Sequence, residues 1–364
     1  MVRKLSIETS IKKILDEIHE PYTGKTIGEL RAIKNVENSG NEIVVFFEFG
    51  FPLSNYAEKF QEKVNFELQK ESLPKVKVSL TSKIVARAAQ PGVPTLNQVK
   101  NIIAVASGKG GVGKSTTTTN LAGAISLAGA NVGILDADIY GPSQTRMLGT
   151  VGKPDSIDGK KMEPIINYGI QCISIGNLIN EDTPMIWRGP MATGALEQLL
   201  NETNWKKIDY LIVDLPPGTG DIHLTLCQKI PVTAALIVTT PQDIALLDAK
   251  KALKMFEKVK VPVLGIIENM SGHICSNCGH EDHIFGKGGA QKMASDYSLD
   301  VLGSLPIDSQ LRKSMDIGEP MIFEDENSKI SQAYFELARS ITGKISNFNK
   351  DLSRKFPKIV VEDS

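Results

Sequence analysis

Residues 108–115 read Gly-Lys-Gly-Gly-Val-Gly-Lys-Ser and directly follow the apolar run Ile102–Ala106. This order of strand, glycine-rich loop, lysine and serine satisfies G-x-x-x-x-G-K-[ST], and a helix-compatible run follows it. Glycines let successive backbone N–H groups curl around a β-phosphate, and the following helix presents its positive end. The stretch therefore predicts a loop that binds the phosphates of ATP. Its predicted contacts are Gly108, Lys109, Gly110, Gly111, Val112, Gly113, Lys114, Ser115 and Thr116.

Two side chains of this loop have predictable roles in phosphoryl transfer. Lys114 is placed to reach the β- and γ-phosphates, and the Ser115 hydroxyl is placed to ligate Mg²⁺. A second element supports this interpretation, because Asp214 ends the apolar run Tyr210–Val213, where a carboxylate would approach the Mg²⁺ shell. An ordinary glycine-rich turn would not need that carboxylate.

The rest of the chain after residue 100 predicts a doubly wound α/β fold. Short β-branched apolar runs alternate with helix-compatible stretches, a pattern typical of a mostly parallel sheet covered by helices on both faces. These runs are Ile102–Ala106, Val132–Leu135, Tyr210–Val213, Ala234–Val238 and Val263–Ile267. We expect this P-loop NTPase domain to span residues 100–345, with a terminal helix at Ser328–Ile345 and a flexible tail at 346–364.

Residues 1–88 predict a separate small α/β domain. Residues 5–19 place their apolar side chains near one helical face, Ile43–Phe49 is an extended run, and residues 75–80 alternate as a half-buried strand does. Two prolines and a glycine at Gln90–Pro94 then predict a linker over residues 89–99.

Composition and charge indicate which partners and which cellular compartment to expect. The chain has 364 residues, a formal net charge of -1 and four cysteines. This charge gives no reason to propose nucleic acid as a partner. The N-terminus has no apolar stretch of the secretory kind, and no run is long enough to span a membrane. We expect a cytoplasmic protein without stable membrane association, whose thiols stay reduced.

Cys275 and Cys278 are spaced so that one turn can direct both sulfurs at a single metal centre. Two thiolates from each chain of a symmetric dimer would supply the four ligands of an iron–sulfur cluster. Zinc bound with two of the histidines at 273, 280 and 283 is the alternative that spacing alone slightly favours, and a redox dithiol is a third. We interpret Cys172 and Cys227 as buried small hydrophobic residues.

The loop sequence resembles the deviant phosphate loop of the family that includes MinD, ParA and the nitrogenase iron protein. In that family the lysine at the position of Lys109 acts across a nucleotide-sandwich dimer. Further stretches resemble the Mrp/ApbC iron–sulfur carrier proteins. They are Ile134–Ser143, Trp187–Pro190, Asp214–Asp221, Thr239–Asp243 and Glu268–Ser271.

This resemblance implies roles for further residues. Asp138 would position the attacking water, Asp214 would hold the Mg²⁺ shell, and Gly218 would sense the γ-phosphate. Asn269 and the loop beginning at Pro306 would contact the adenine. Aspartates at strand ends are often helix caps, and Asn269 has a turn residue as its structural alternative.

The resemblance also favours an iron–sulfur cluster over zinc at the cysteine pair, which is the opposite of the order that spacing alone gives. It implies a homodimer that holds a 4Fe-4S cluster through Cys275 and Cys278, hydrolyses ATP slowly and passes the cluster to apo iron–sulfur proteins. The N-terminal domain has no cysteine, so we expect it to dock to recipient or scaffold proteins and not to ligate the cluster.

Three alternatives belong to other classes. A positioning ATPase like MinD or ParA would need a membrane helix or a DNA-binding patch, for which residues 344–356 give a marginal amphipathic signal. A reductase like the nitrogenase iron protein would have its ligand cysteines far apart in the chain. A zinc-stabilised regulatory NTPase would differ in its metal content.

Overall fold

The computed structural model describes residues 7–40, 42–54, 56–157, 159–178, 189–275 and 278–351, with only the backbone of 221 and 222. The N-terminal unit begins with a helix and ends with a strand. Its elements are α1 (Ile7–Glu17), β1 (His19–Glu20), β2 (Lys25–Thr26), α2 (Ile27–Leu30), β3 (Ile33–Asn38), β4 (Ile43–Phe49), α3 (Ala57–Lys70) and β5 (Lys77–Ser82).

The N-terminal unit has a core of its own. β4 is the central strand of a three-stranded sheet, antiparallel to β3 and parallel to β5. Every second residue of β4 is buried, which is the alternation that the sequence shows. The ring of Phe47 on β4 meets Phe60 on α3 edge to face, with the ring centroids 5.1 Å apart.

The larger unit alternates strands and helices from Val99 onward. Its first half contains β6 (Val99–Ala106), α4 (Lys114–Leu127), β7 (Val132–Asp136), α5 (Gln144–Met147), β8 (Ile165–Asn167), β9 (Ile170–Ser174), α6 (Gly189–Glu202), β10 (Ile208–Asp214) and α7 (Asp221–Lys229). Its second half contains β11 (Ala234–Thr239), α8 (Asp243–Lys258), β12 (Val263–Ile274), β13 (Glu281–Asp282), α9 (Gly289–Tyr297), β14 (Asp300–Ile307), α10 (Ser309–Ile317), α11 (Met321–Glu324) and α12 (Lys329–Ser346).

These strands form one nine-stranded sheet with the order β13-β12-β11-β6-β10-β7-β9-β8, and β14 also pairs with β12. All neighbouring strands run parallel except β8 and β13. On β10, Leu211 and Val213 face one buried layer while Tyr210 and Ile212 face the other. The sheet is therefore covered on both faces, and the doubly wound fold predicted from the sequence is confirmed.

The structure extends one predicted strand and corrects one predicted loop. The apolar run Val263–Ile267 is only the first part of β12, which continues to Ile274 because β14 and β13 pair with its second half. Pro306 does not begin a loop but lies inside β14. β14 pairs with β12 alone and is thus an edge strand, where a residue without an N–H is tolerated.

The segment between the two units is held in place. Gln90 is buried, and its backbone N–H donates to the Val232 carbonyl at 3.0 Å while its Nε2 donates to the Val259 carbonyl at 2.7 Å. Arg87 forms a β-bridge with Lys350 just after α12. Hydrogen bonds of the buried Gln90 therefore tie this segment to the larger unit.

The N-terminal unit packs on α12 through a buried arginine. Arg339 is 2% exposed and pairs with Glu336 at 2.8 Å. Its Nε donates to the hydroxyl of Tyr22 at 3.2 Å, and the Tyr22 hydroxyl donates to Glu336 at 2.7 Å. Gly343 lies directly against Tyr22, because an added Cβ would come within 2.8 Å of the Tyr22 backbone. α12 also packs against α4, so it lies between the N-terminal unit and the helix that follows the phosphate loop.

Candidate functional site

The phosphate loop joins β6 to α4 at the carboxyl edge of the sheet, beside the ends of β10 and β11. Gly113 is the residue before α4 and has φ of 81°, a left-handed conformation that favours glycine. Gly108 lies so close to α8 that an added Cβ would be 2.2 Å from the carbonyl carbon of Asp248. The loop backbone is therefore fixed, and α4 directs its positive end into it.

Lys114 is buried among carboxylates. Its Nζ pairs with Asp214 and lies 3.7 Å from Asp138 Oδ2, although the lysine side chain is only 5% exposed. Burial raises the pKa of Asp138, and the charge of Lys114 opposes that rise. A phosphate that enters the loop would compete with these carboxylates for the lysine. The structure thus brings together Lys114, Asp138 and Asp214, three of the four charged residues that the sequence predicted for this site.

Asp214 is held by side chains from two helices. Thr118 on α4 donates to Oδ1 at 3.2 Å, and Gln144 at the start of α5 donates through Nε2 to Oδ2 at 2.8 Å. The same Nε2 reaches the carbonyl of Ser115 at 3.1 Å, and Thr119 donates to Gln144 Oε1 at 2.7 Å. Gln144 therefore fixes the carboxylate relative to the loop, a role that sequence reasoning missed.

Asp136 was also missed. It ends β7 as Asp214 ends β10, so the rule that found one carboxylate could have found the other. Asp136 accepts hydrogen bonds from the backbone N–H groups of Asp138, Ser143 and Gln144 and from the hydroxyl of Ser174. Burial raises the pKa of Asp136, and the neighbouring Asp214 charge raises it further. Its contacts shape the loop that carries Asp138.

Lys109 and Gly218 lie at the other side of the loop. Lys109 Nζ is 3.3 Å from Gln242 Oε1, just before α8. The N–H of Gly218 donates to the carbonyl of Ser107 at 3.1 Å, and Gly218 has φ of 98°. Gly218 therefore borders the phosphate loop, to which Lys109 itself belongs. His223 on α7 is buried nearby, where burial lowers its pKa to about 4 and the charge of Lys114 adds to the effect.

Asn269 and Pro306 lie in neighbouring strands, β12 and β14. Asn269 lies in β12, where its Nδ2 donates to the carbonyl of Val112 in the phosphate loop at 2.8 Å. It pairs in register with Leu305, the residue before Pro306. Asn269 is therefore a strand residue and not a turn residue, and it contacts the loop directly.

The cysteine pair lies at the far end of β12. Cys275 follows the last residue of this strand and is half-buried, and Cys278 is exposed. The N–H of Cys275 donates to the carbonyl of His280, and the N–H of Gly279 donates to the carbonyl of Cys275, both at 2.9 Å. Residues 276 and 277 lie outside the described residues.

The histidines near this pair have other surroundings. His283 Nδ1 lies 2.7 Å from the carbonyl of Ser271, and His273 is in register with Asp282 across the β12–β13 pair. Within the described parts of the chain, no group of three or more His, Cys, Asp or Glu side chains is arranged to hold a metal ion. Cys172 and Cys227 are buried, as predicted, and burial raises the pKa of each thiol to about 12.

Some predicted features lie outside the described residues. Trp187 and Arg188 of one motif belong to this group, as does the predicted tail from residue 352 onward. Among the helices that the structure describes, none combines the length and apolar character needed to cross a membrane.

Comparison with known proteins agrees with this geometry. The chain is 48% identical over 337 residues to the iron–sulfur cluster carrier protein of Haemophilus influenzae, which covers 92% of this chain and 91% of that protein. The ADP-bound nucleotide-binding protein of Archaeoglobus fulgidus has a TM-score of 0.57 and 39% identity, covering 66% of this chain and 93% of that chain. The cell-division ATPase MinD of Pyrococcus furiosus shares the fold, with a TM-score of 0.51 and 22% identity over 66% of this chain and 98% of that chain.

A profile of the ParA family, described as NUBPL iron-transfer P-loop NTPase, matches residues 98–342. This match spans more than half of the chain and starts at the strand that carries the phosphate loop. The chain therefore belongs to the family of NUBPL-type iron-transfer P-loop NTPases, as its motifs predict.

Proposed function

We propose that this protein is an ATP-dependent, cytoplasmic iron–sulfur cluster carrier that binds a 4Fe-4S cluster between two copies of the chain. The observation that carries the proposal is the course of β12. This strand holds Asn269 against the phosphate loop and ends one residue before Cys275. A shift of the loop on nucleotide binding would therefore reach the cluster ligands along β12, past the irregularity at Met270, which has φ of 57°.

The number of thiols supports a dimer. Each chain supplies Cys275 and Cys278, and a cubane cluster takes four cysteine ligands. Two chains related by a two-fold axis complete that set.

The phosphate site supports slow ATP hydrolysis. Lys114 would exchange its carboxylate partners for the β- and γ-phosphates, and Asp138 would then be free to orient the attacking water. Lys109 of each chain would stabilise the transition-state charge on the partner's nucleotide. In this scheme Asn269 and the Pro306 region contact the adenine, and Gly218 senses the γ-phosphate.

Mg²⁺ fits the donor set at the loop. The hydroxyl of Ser115 and the carboxylate of Asp214 are oxygen donors of the kind that Mg²⁺ prefers, and Gln144 already fixes the direction of that carboxylate. When bound, the ion would neutralise charge on the β- and γ-phosphates.

Nucleotide then acts as a switch. ATP at two facing loops would favour one dimer geometry, and hydrolysis would relax it and change the affinity for the cluster. A ligand shifts such an equilibrium only by its different affinities for the two states. Cluster transfer to apo iron–sulfur proteins would follow this relaxation, with the N-terminal unit docking to recipient or scaffold proteins.

The test is a metal count. We would purify the protein anaerobically, reconstitute it with iron and sulfide, and determine iron, sulfide, zinc and molecular mass with and without ATP. The proposal predicts about four irons and four sulfides per dimer. A monomer in the presence of ATP that holds one zinc per chain and no iron would overturn it and favour a zinc-stabilised NTPase.

A further inference from the structure

Lys109 has a resting partner within its own chain. Its Nζ is 3.3 Å from Gln242 Oε1, and the hydroxyl of Thr240 lies 3.2 Å from the same oxygen. An ammonium group can only donate hydrogen bonds, so the carboxamide must face Lys109 with its oxygen. The Thr240 hydroxyl then stabilises this orientation by donating to that oxygen as well.

Gln242 has no evident role in its own helix. It is the residue before α8, a position where Ser, Thr, Asp or Asn side chains usually cap the first backbone N–H groups. The Gln242 side chain makes no such capping bond. Its described side-chain contacts go to Thr240 and Lys109 instead.

Neighbouring groups hold the backbone at Gly108 and Lys109. Gly108 lies against the backbone of Asp248 on α8, and the Ser107 hydroxyl donates to the Lys109 carbonyl at 2.9 Å. Among the side chains that the structure describes, no carboxylate lies within ion-pair distance of Lys109 Nζ, which meets a neutral acceptor. Such a contact is weaker than an ion pair and is more easily exchanged.

We propose that Gln242 is a positioning residue that holds Lys109 against its own subunit and releases it when a second copy docks. The inference rests on the proposed function, in which Lys109 reaches the nucleotide of the partner chain. It adds that the strength of the Lys109–Gln242 contact sets how readily the ATP-bound chain pairs. The contact of Lys109 with a neutral amide is stronger than no contact and weaker than an ion pair. Substitutions of Gln242 should therefore be able either to strengthen or to weaken the pairing of two chains.

Two substitutions of similar size test this idea. Gln242→Met removes the acceptor, and Gln242→Glu converts the contact into an ion pair. We would measure the dissociation constant of the dimer by sedimentation velocity with a non-hydrolysable ATP analogue. Gln242→Met should tighten the dimer by about three- to tenfold, and Gln242→Glu should weaken it by at least as much.

The same two substitutions in a Lys109→Ala background provide the control. If Gln242 acts through Lys109, neither substitution should change dimerisation there, because the residue being held is gone. Thermal unfolding midpoints of all variants would report any change in the stability of α8.

The outcomes separate this inference from the proposed function. Opposite shifts that disappear in the Lys109→Ala background support it. The inference is overturned if both substitutions shift the dissociation constant in the same direction, if neither shifts it, or if the shifts persist without Lys109. None of these results would contradict the proposed carrier function. If Lys109→Ala alone changes neither dimerisation nor hydrolysis, the trans role of Lys109 fails and this inference fails with it.

Discussion

β12 contacts the phosphate loop through Asn269 and ends at the cysteine hairpin, the turn between β12 and β13 that contains Cys275 and Cys278. The loop and this hairpin are built in opposite ways. Around the loop, Lys114, Asp214 and Gln144 are buried and hydrogen-bonded to one another. At the hairpin, Cys278 is exposed, and two backbone hydrogen bonds close the turn around Cys275. The side chains of the phosphate site are thus held in place by one another, whereas Cys278 is open to solvent.

The largest expected effect is at the hairpin. Cys275→Ala removes one of the two proposed ligand thiols of each chain, so a dimer retains two of four ligands. We expect reconstituted iron and sulfide to fall to background, as measured by metal analysis and visible absorbance, while nucleotide binding stays nearly intact. Cys227→Ala is the matched control, since that thiol is buried in α7. Equal loss of iron in both variants would contradict the assignment of the ligands.

The next effect is at the loop. Lys114→Met removes the cation that neutralises Asp214 and that would bind the phosphates. We expect the rate of ATP hydrolysis to fall by about 100-fold or more, because donors aimed at developing charge contribute that much. Reconstituted iron should be retained.

Lys100→Met provides a matched control for this substitution. Lys100 lies on β6, the strand that leads into the phosphate loop, and pairs with Asp209 at 2.7 Å, but its side chain is partly exposed. Hydrolysis by this variant should stay close to that of the unchanged protein. A similar loss in both variants would mean that pairing of β6 to β10, and not the phosphate site, had been damaged.

Breaking the contact between β12 and the phosphate loop should have a smaller effect. Asn269→Ala removes the bond from β12 to the Val112 carbonyl. Cluster content should persist, but the acceleration of cluster transfer by ATP should fall by about fivefold or more, the lower range of typical coupling between sites. Transfer to an apo acceptor would be timed with and without ATP. Asn167→Ala, which removes a 2.7 Å bond to the Leu148 carbonyl, should leave the acceleration unchanged.

The smallest effect concerns the N-terminal unit. Arg339→Met would leave Glu336 and the Tyr22 hydroxyl without their buried partner, and we expect a loss of about 2 kcal/mol in the free energy of unfolding by urea. Lys59 also pairs with Glu336, at 3.4 Å, but both side chains are about half exposed. Lys59→Met should therefore change stability by less than about 0.5 kcal/mol. Equal changes would mean that Arg339 does not secure the junction.

The phosphate site was predictable because each of its main parts is recognised within a short stretch of sequence. The loop, its preceding strand and Asp214 are recognised from short stretches whose chemistry depends on neighbours in sequence. Gln144 has no such signal, because its role depends on α5 bringing it to a carboxylate 70 residues away. Asp136 did have such a signal, because it ends a strand just as Asp214 does.

Long-range packing explains the other differences. The second half of β12 contains Ser271, Gly272 and His273, whose composition does not indicate a strand, and pairing with β13 and β14 decides its conformation. The contact between Tyr22 and Arg339 joins residues 317 positions apart, so no local pattern could reveal it. Periodicity predicted α12 itself well, since it begins one residue after the predicted start.

The placement of α12 has a practical consequence for work with shortened forms of this protein. A fragment that starts at Val99 would keep every strand of the large sheet but would expose the surface around Arg339 and Gly343 that Tyr22 now covers. Because α12 also packs on α4, we expect loosening of this helix to affect the phosphate loop. Low ATPase activity in such a fragment would then report a damaged support for α4, and it should not be attributed to the loss of a recipient-docking module.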